Sequence, residues 1–113
     1  MNQGDIWLVN LSPTVGAEIT KTRPCVIVSS NEIGILPLKV IAPVTDYKHH
    51  YDSVPWMVEL SPDVNNNLAK RSVVDLFQLR SVSQIRLIRN FGRVGDLDFK
   101  KIMEAIKIVF GFY

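Results

Sequence analysis

Apolar residues come in short runs divided by polar or turn-forming clusters as far as position 95, and then their spacing changes. Residues 4–10 have strand composition, and a loop of about a dozen residues carries the chain to position 22. Residues 24–29 form an almost unbroken apolar run, the pattern of a strand buried on both faces. A short helical turn capped by Ser30 or Asn31 follows, then a third strand over 39–44. Pro43 near its end predicts an edge or a bulge. Residues 45–53 read as a polar, aromatic-bearing loop, 55–60 as a fourth strand, and 61–67 as a turn with three consecutive asparagines. Residues 72–80 read as one bent strand or as two, 83–87 as a short helical turn capped by Ser83, and 88–94 as the last strand. From Asp96, read as a helix cap, Phe99, Ile102, Met103, Ile106, Val109 and Phe110 repeat at helical spacing. Gly111 ends that helix. Five to seven short strands and one terminal helix predict a mainly β fold: a small barrel or strongly bent antiparallel sheet with a C-terminal α-helix.

The length of 113 residues fits a single domain, 1–113, large enough for a core of its own. Apolar residues make up 47% and charged ones 21%, which argues against disorder. The lone cysteine, Cys25, excludes an internal disulfide and a cysteine-rich zinc site, and its apolar strand makes it a core residue. No secretory leader and no membrane span is read, so a cytoplasmic protein is expected. The net charge of +2 is unevenly spread: between Lys70 and Arg93 six cations face one anion, Asp75. That segment is +5 and hints at a polyanionic partner.

Candidate chemistry concentrates at the end of the first long loop. Glu18, Thr20, Lys21, Thr22 and Arg23 run into Pro24 and the apolar strand. A residue before proline is held extended, which places Arg23 at the mouth of that strand, on a rigid sheet. His49 and His50 are adjacent, so in a strand they would point to opposite faces, and no metal cluster is read. Neither a glycine-rich nucleotide loop nor a serine or cysteine nucleophile motif is present. Cofactor-free cleavage of RNA remains open, because RNA carries its own nucleophile, the 2′-OH.

Several separated motifs then occur in one order: Gly4-Asp5-Ile6-Trp7-Leu8-Val9, Pro13-Thr14, Gly16-Ala17-Glu18, Thr22-Arg23-Pro24, Ala42-Pro43-Val44-Thr45, Ser72-Val73-Val74, Gln78-Leu79-Arg80-Ser81-Val82 and Arg86-Leu87. Together they resemble the MazF/PemK/Kid toxins of toxin–antitoxin pairs, over nearly the whole chain. The resemblance implies an SH3-like small barrel, a homodimer, and sequence-selective, metal-independent cleavage of single-stranded RNA. It also implies a MazE-like antitoxin whose acidic, flexible tail covers the active face. By position Arg23 and Thr45 correspond to the family's central catalytic pair, and Glu18 to its loop carboxylate.

Two residues depart from the family pattern. Asp46 stands where serine is usual, and a carboxylate there repels the scissile phosphate unless Arg23 or Lys48 pairs with it. Phe77 stands where many members carry a carboxylate before the glutamine, and reads as a core residue rather than a base-stacking platform.

The expected mechanism is attack by the 2′-OH, with Arg23 presenting its planar N–H fork and Thr45 its hydroxyl to the developing phosphorane. A guanidinium is a poor base, so Glu18 is the candidate base, with His49 or His50 behind it. Thr20, Lys21, Thr22, Asp46, Tyr47, Lys48, His49, Tyr51, Gln78 and Arg80 are the expected RNA-contacting residues, with Tyr47, Tyr51 and Trp56 placed to stack bases. The rival expectations are a CcdB-like gyrase poison on the same fold, a non-catalytic regulator, and an SH3-like interaction module.

Overall fold

The computed structural model describes residues 1–112. Its seven strands are β1 (Asp5–Asn10), β2 (Thr22–Ile27), β3 (Leu38–Asp46), β4 (Met57–Leu60), β5 (Ser72–Asp75), β6 (Arg80–Ser83) and β7 (Leu87–Arg93), followed by helix α1 (Asp96–Phe110). All strand pairs are antiparallel. The order is β4-β5-β3-β2-β1-β7, with β6 beside β3. The sheet bends but does not close into a barrel, since β4 and β7 remain at its two ends.

The bend is built into β3. Its first half, Leu38 to Ile41, pairs with β6, and its last three residues, Val44 to Asp46, pair with β5. Ala42 and Pro43 fall between the two partners. A proline is tolerated where no ladder bond is required of its nitrogen. The sequence places Pro43 at a bulge or edge, and the physical outcome is this change of partner. β3 also runs on through Thr45 and Asp46, which the sequence assigns to a loop, because β5 pairs with both.

The unbroken apolar run of β2 is explained by two cores. Val26 joins Ile6, Ala42, Val44, Val74 and Leu76 beneath Ile102 and Ala105 of α1. Cys25 and Ile27 join Val9, Leu11, Ile41, Val82 and Leu87 on the other face. Residues 72–80 resolve as two strands joined by a 3₁₀ turn over Leu76–Gln78. Ser30 caps the first 3₁₀ turn, accepting from the Glu32 amide at 3.0 Å. Ser83 precedes the turn Gln84–Arg86 without a side-chain capping bond.

The helix departs from expectation at both ends. Gly95, not Asp96, is its N-cap; Asp96 and Asp98 lie in the first turn, where the helix dipole favours anions. Phe110 is exposed rather than part of the buried stripe. Gly111 ends the helix in a left-handed conformation, φ 77°. Among the described residues no helix is long and apolar enough to cross a membrane.

A second turn matters for the site. Buried Asn66 accepts from the Asp63 and Leu68 amides, both at 3.0 Å, and donates to the Ser61 carbonyl at 2.8 Å. The turn lies so close to Gly92 that a Cβ there would meet the Asn65 carbonyl oxygen at 2.5 Å. It thereby fixes Leu68, Ala69 and Lys70 against the end of β3.

Candidate active site

The β2–β3 ladder ends at the pair Cys25↔Pro43. Val28 N–H donates to the Val40 carbonyl at 2.9 Å, and strand alternation from that bond puts Pro24 at a position that should donate to β3. Proline has no N–H, so the ladder stops and the strand ends open into a cleft of about 280 Å³. Lys21, Thr22, Arg23, Thr45, Asp46 and Lys70 line it, over an apolar base that includes Val44, Leu68 and Phe91.

Arg23 is aimed by its own loop. Its Nε donates to the Thr20 carbonyl at 2.9 Å. That bond uses one of five guanidinium donors and leaves the terminal nitrogens to form a fork. Burial pushes the Cys25 thiol up to about 12, outweighing the opposing positive charges of Arg23 and Arg80. Cys25 is therefore a neutral core residue, as its strand predicts.

Glu18 is not in this cleft. It lines an adjoining one of about 390 Å³ with Ile19, Pro43, Phe77, Gln78 and Arg80. Its Oε1 accepts from the Val15 amide at 2.6 Å, tying the carboxylate into its own loop. The loop, residues 11–21, is itself clamped from below. Gln78 Oε1 accepts from the Ile19 amide at 2.6 Å. Arg80 donates to the Leu11 carbonyl at 2.6 Å, and Arg86 to the Asn10 and Ser12 carbonyls at 3.0 and 2.7 Å. Ser12 and Thr20 hydroxyls meet at 3.1 Å. Thr20 and Gln78 thus hold the loop.

The basic segment is dispersed rather than gathered on one face. Lys70 pairs with Asp46 at 2.9 Å, and Arg71 grips Glu59 through two bonds of 2.7 and 2.9 Å. Arg80 and Arg86 serve the loop, and Arg89 lies over the Phe91 ring at 5.6 Å. The partner of Asp46 is therefore Lys70, not Arg23 or Lys48. Lys70 was missed because nothing local links positions 46 and 70; only the Asp46↔Ser72 register brings them together.

The aromatic loop after β3 is also committed internally. Tyr47 donates to Asp52 at 2.7 Å and carries the Arg71 guanidinium 3.7 Å above its ring. Donation to Asp52 raises the Tyr47 phenol above its ordinary range. His49 lies 3.6 Å from the same carboxylate, and Tyr51 packs tilted on His50 at 4.4 Å. Tyr47, Lys48, His49 and Tyr51 line neither cleft. Phe77, by contrast, is 62% exposed, against the expectation of a core residue. Among the described residues no three His, Cys, Asp or Glu side chains gather to hold a metal ion.

Residues 2–110 match the model of the PemK-like, MazF-like toxins of type II toxin–antitoxin systems. The chain belongs to that family. It is 30% identical over 114 residues to endoribonuclease MazF9 of Mycobacterium tuberculosis, covering 96% of this chain and 94% of that one. It is 30% identical over 110 residues to endoribonuclease EndoA of Bacillus subtilis, covering 96% and 92%. Its fold matches a crystal structure of MazF from Deinococcus radiodurans with a TM-score of 0.81 at 21% identity, over 98% and 96% of the two chains. It also matches an endoribonuclease bound to its cognate antitoxin from a mycobacterial species, with a TM-score of 0.80 at 18% identity, over 100% and 97%. The gyrase-poison and regulator readings are not favoured by these likenesses.

Proposed function

We propose that this MazF-like endoribonuclease toxin acts as a homodimer that cuts single-stranded RNA sequence-selectively by attack of the 2′-OH, with no metal in the step. The observation that carries this reading is the cleft in which Arg23 and Thr45 flank one opening at the splayed ends of β2 and β3. Attack of the 2′-oxygen on phosphorus gives a dianionic phosphorane; expulsion of the 5′-oxygen, which takes a proton from water, leaves a 2′,3′-cyclic phosphate and a 5′-hydroxyl. The Arg23 fork suits two phosphoryl oxygens and the Thr45 hydroxyl a third contact, both fixed before the charge develops. Glu18, in the adjoining cleft, is the base that removes the 2′-proton when RNA bridges the two clefts. Lys21, Thr22 and Lys70 hold the flanking phosphates.

A MazE-like antitoxin with an acidic segment would occupy the same two clefts, which carry Lys21, Arg23, Lys70 and Arg80. Among the fold neighbours are MazE–MazF complexes from Deinococcus radiodurans. Such binding weakens as salt rises.

The test is a single deoxyribose 5′ to the cut bond. Cleavage there should stop while binding persists, and the all-ribose strand should be cut in excess chelator. Cleavage of the deoxy-substituted strand would instead require an activated water.

A further inference from the structure

Phe77 stands out in the open although its neighbours Trp56 and Leu76 pack into the core. It is 62% exposed, yet held rigidly: its amide donates to Asp75 Oδ1 at 3.0 Å, which fixes the 3₁₀ turn. The Trp56 ring packs against it, centroids 5.3 Å apart and tilted by 55°. Trp56 in turn packs on the core beneath α1. A large exposed aromatic buttressed by a second aromatic is preorganised, since neither ring has to be ordered when a ligand arrives. It stands at the wall of the 390 Å³ cleft whose other walls carry apolar Leu11, Ile41 and Pro43.

The polar groups of this cleft retain unused capacity. Glu18 has its second carboxylate oxygen, Gln78 the second lone pair of its Oε1, and Arg80 the guanidinium donors beyond its bond to Leu11. A flat apolar wall with a few donors and acceptors at one end is the chemistry that receives a nucleobase. The cleft is also in register with the cut. Pro43 in this cleft and Thr45 in the other lie two residues apart on one face of β3, a separation of about 7 Å.

We infer that the Trp56-buttressed Phe77 ring is the stacking platform for one base of the RNA, within one or two nucleotides of the cut bond, and so sets which sequences are cleaved. Its edge is read by Glu18, Gln78 and Arg80. This rests on the RNA-cleavage reading above.

The test crosses an abasic scan of a cleavable oligoribonucleotide with Phe77→Ala and Phe77→Leu. Stacking on an aromatic side chain contributes about 5- to 150-fold in binding. In the wild-type protein, removing the base at one position should cost kcat/KM by that factor. In both variants the same abasic strand should be cut as well as the intact one, while abasic costs elsewhere persist. Phe77→Leu keeps an apolar contact to Trp56, so retained costs at the other positions show that the site itself is intact. Costs that multiply independently at every position would overturn the platform while leaving RNA cleavage standing. A wild-type protein that cuts no RNA would overturn both.

Discussion

Arg23 and Thr45 stand opposite one another across a ladder that has stopped two residues earlier. Continuing the Cys25↔Pro43 register by two residues pairs position 23 with position 45, on the same face of the two strands. Pro24 removes the bond that would have zipped them together, so the pair borders open space rather than a closed sheet. The Arg-Pro dipeptide thus both orients the cation and makes the cleft.

Arg23→Ala is expected to lower kcat by at least ~10²–10³ with little change in thermal stability, because a preorganised donor is lost from a half-buried rim position. Arg23→Lys should fail almost as badly, since a point charge cannot offer two parallel N–H groups and cannot keep the Nε bond to Thr20. Single-turnover cleavage separates the outcomes. Near-normal rates in the lysine variant would mean that charge alone matters.

The position of Arg23 was legible because it depends on local signals, a proline after the cation and an apolar run fixing β2, whereas Thr45 entered only through the family resemblance and stands in β3 rather than in the expected loop. The strand count and the helix stripe were legible for the same reason. What the chain did not disclose is set by long-range register. Lys70 meets Asp46, and Arg80 and Arg86 bond carbonyls of a loop some seventy positions away, about which spacing is silent. Phe77 reads as a core residue because large aromatic side chains are usually inside. Here the 3₁₀ turn rotates it outward while Leu76 goes in. The stripe overshot at Phe110 because periodicity cannot sense where the sheet beneath the helix ends.

The Asp46–Lys70 pair is solvent-exposed, with side chains 62% and 68% accessible, so it contributes at most about 1 kcal/mol to stability. Its effect should fall on RNA instead. Asp46→Asn frees Lys70 and removes the one carboxylate that lines the phosphate cleft among the described residues. The expected outcome is a KM several-fold lower at low salt, a steeper fall of affinity with salt, and an unchanged melting temperature. A higher KM would mean that Asp46 itself contacts the RNA.

Glu18 differs from Arg23 in being tethered in the neighbouring cleft through Val15. If it is the base, Glu18→Gln should keep the loop, since the amide oxygen still accepts from Val15, and should slow single-turnover cleavage by about 10²–10⁴-fold. Glu18→Ala should lose the same activity and also loosen the loop, read as faster amide exchange over residues 11–21. Near-normal cleavage in Glu18→Gln would transfer the base role elsewhere, with His49 and His50 the next residues to replace.

Asp75 sits at the root of the turn that presents both Phe77 and Gln78. It is a buried carboxyl, and burial raises it above its ordinary value of 3.8 against the opposing hydrogen bonds from Phe77 and Gln78. A raised value means that the folded chain holds this proton more tightly than the unfolded chain. The associated stability is therefore complete below 3.8 and declines as pH rises through the folded-state value. Asp75→Asn keeps an oxygen to accept from the Phe77 amide and never has to ionise. The variant should match or exceed the wild-type melting temperature at neutral pH, and that advantage should shrink as the pH is lowered toward 4. Melting curves across this range, with cleavage measured in parallel, decide it. A large, pH-independent loss of stability in the asparagine variant would show that the charged form is preferred, its hydrogen bonds to the turn outweighing the burial of the charge.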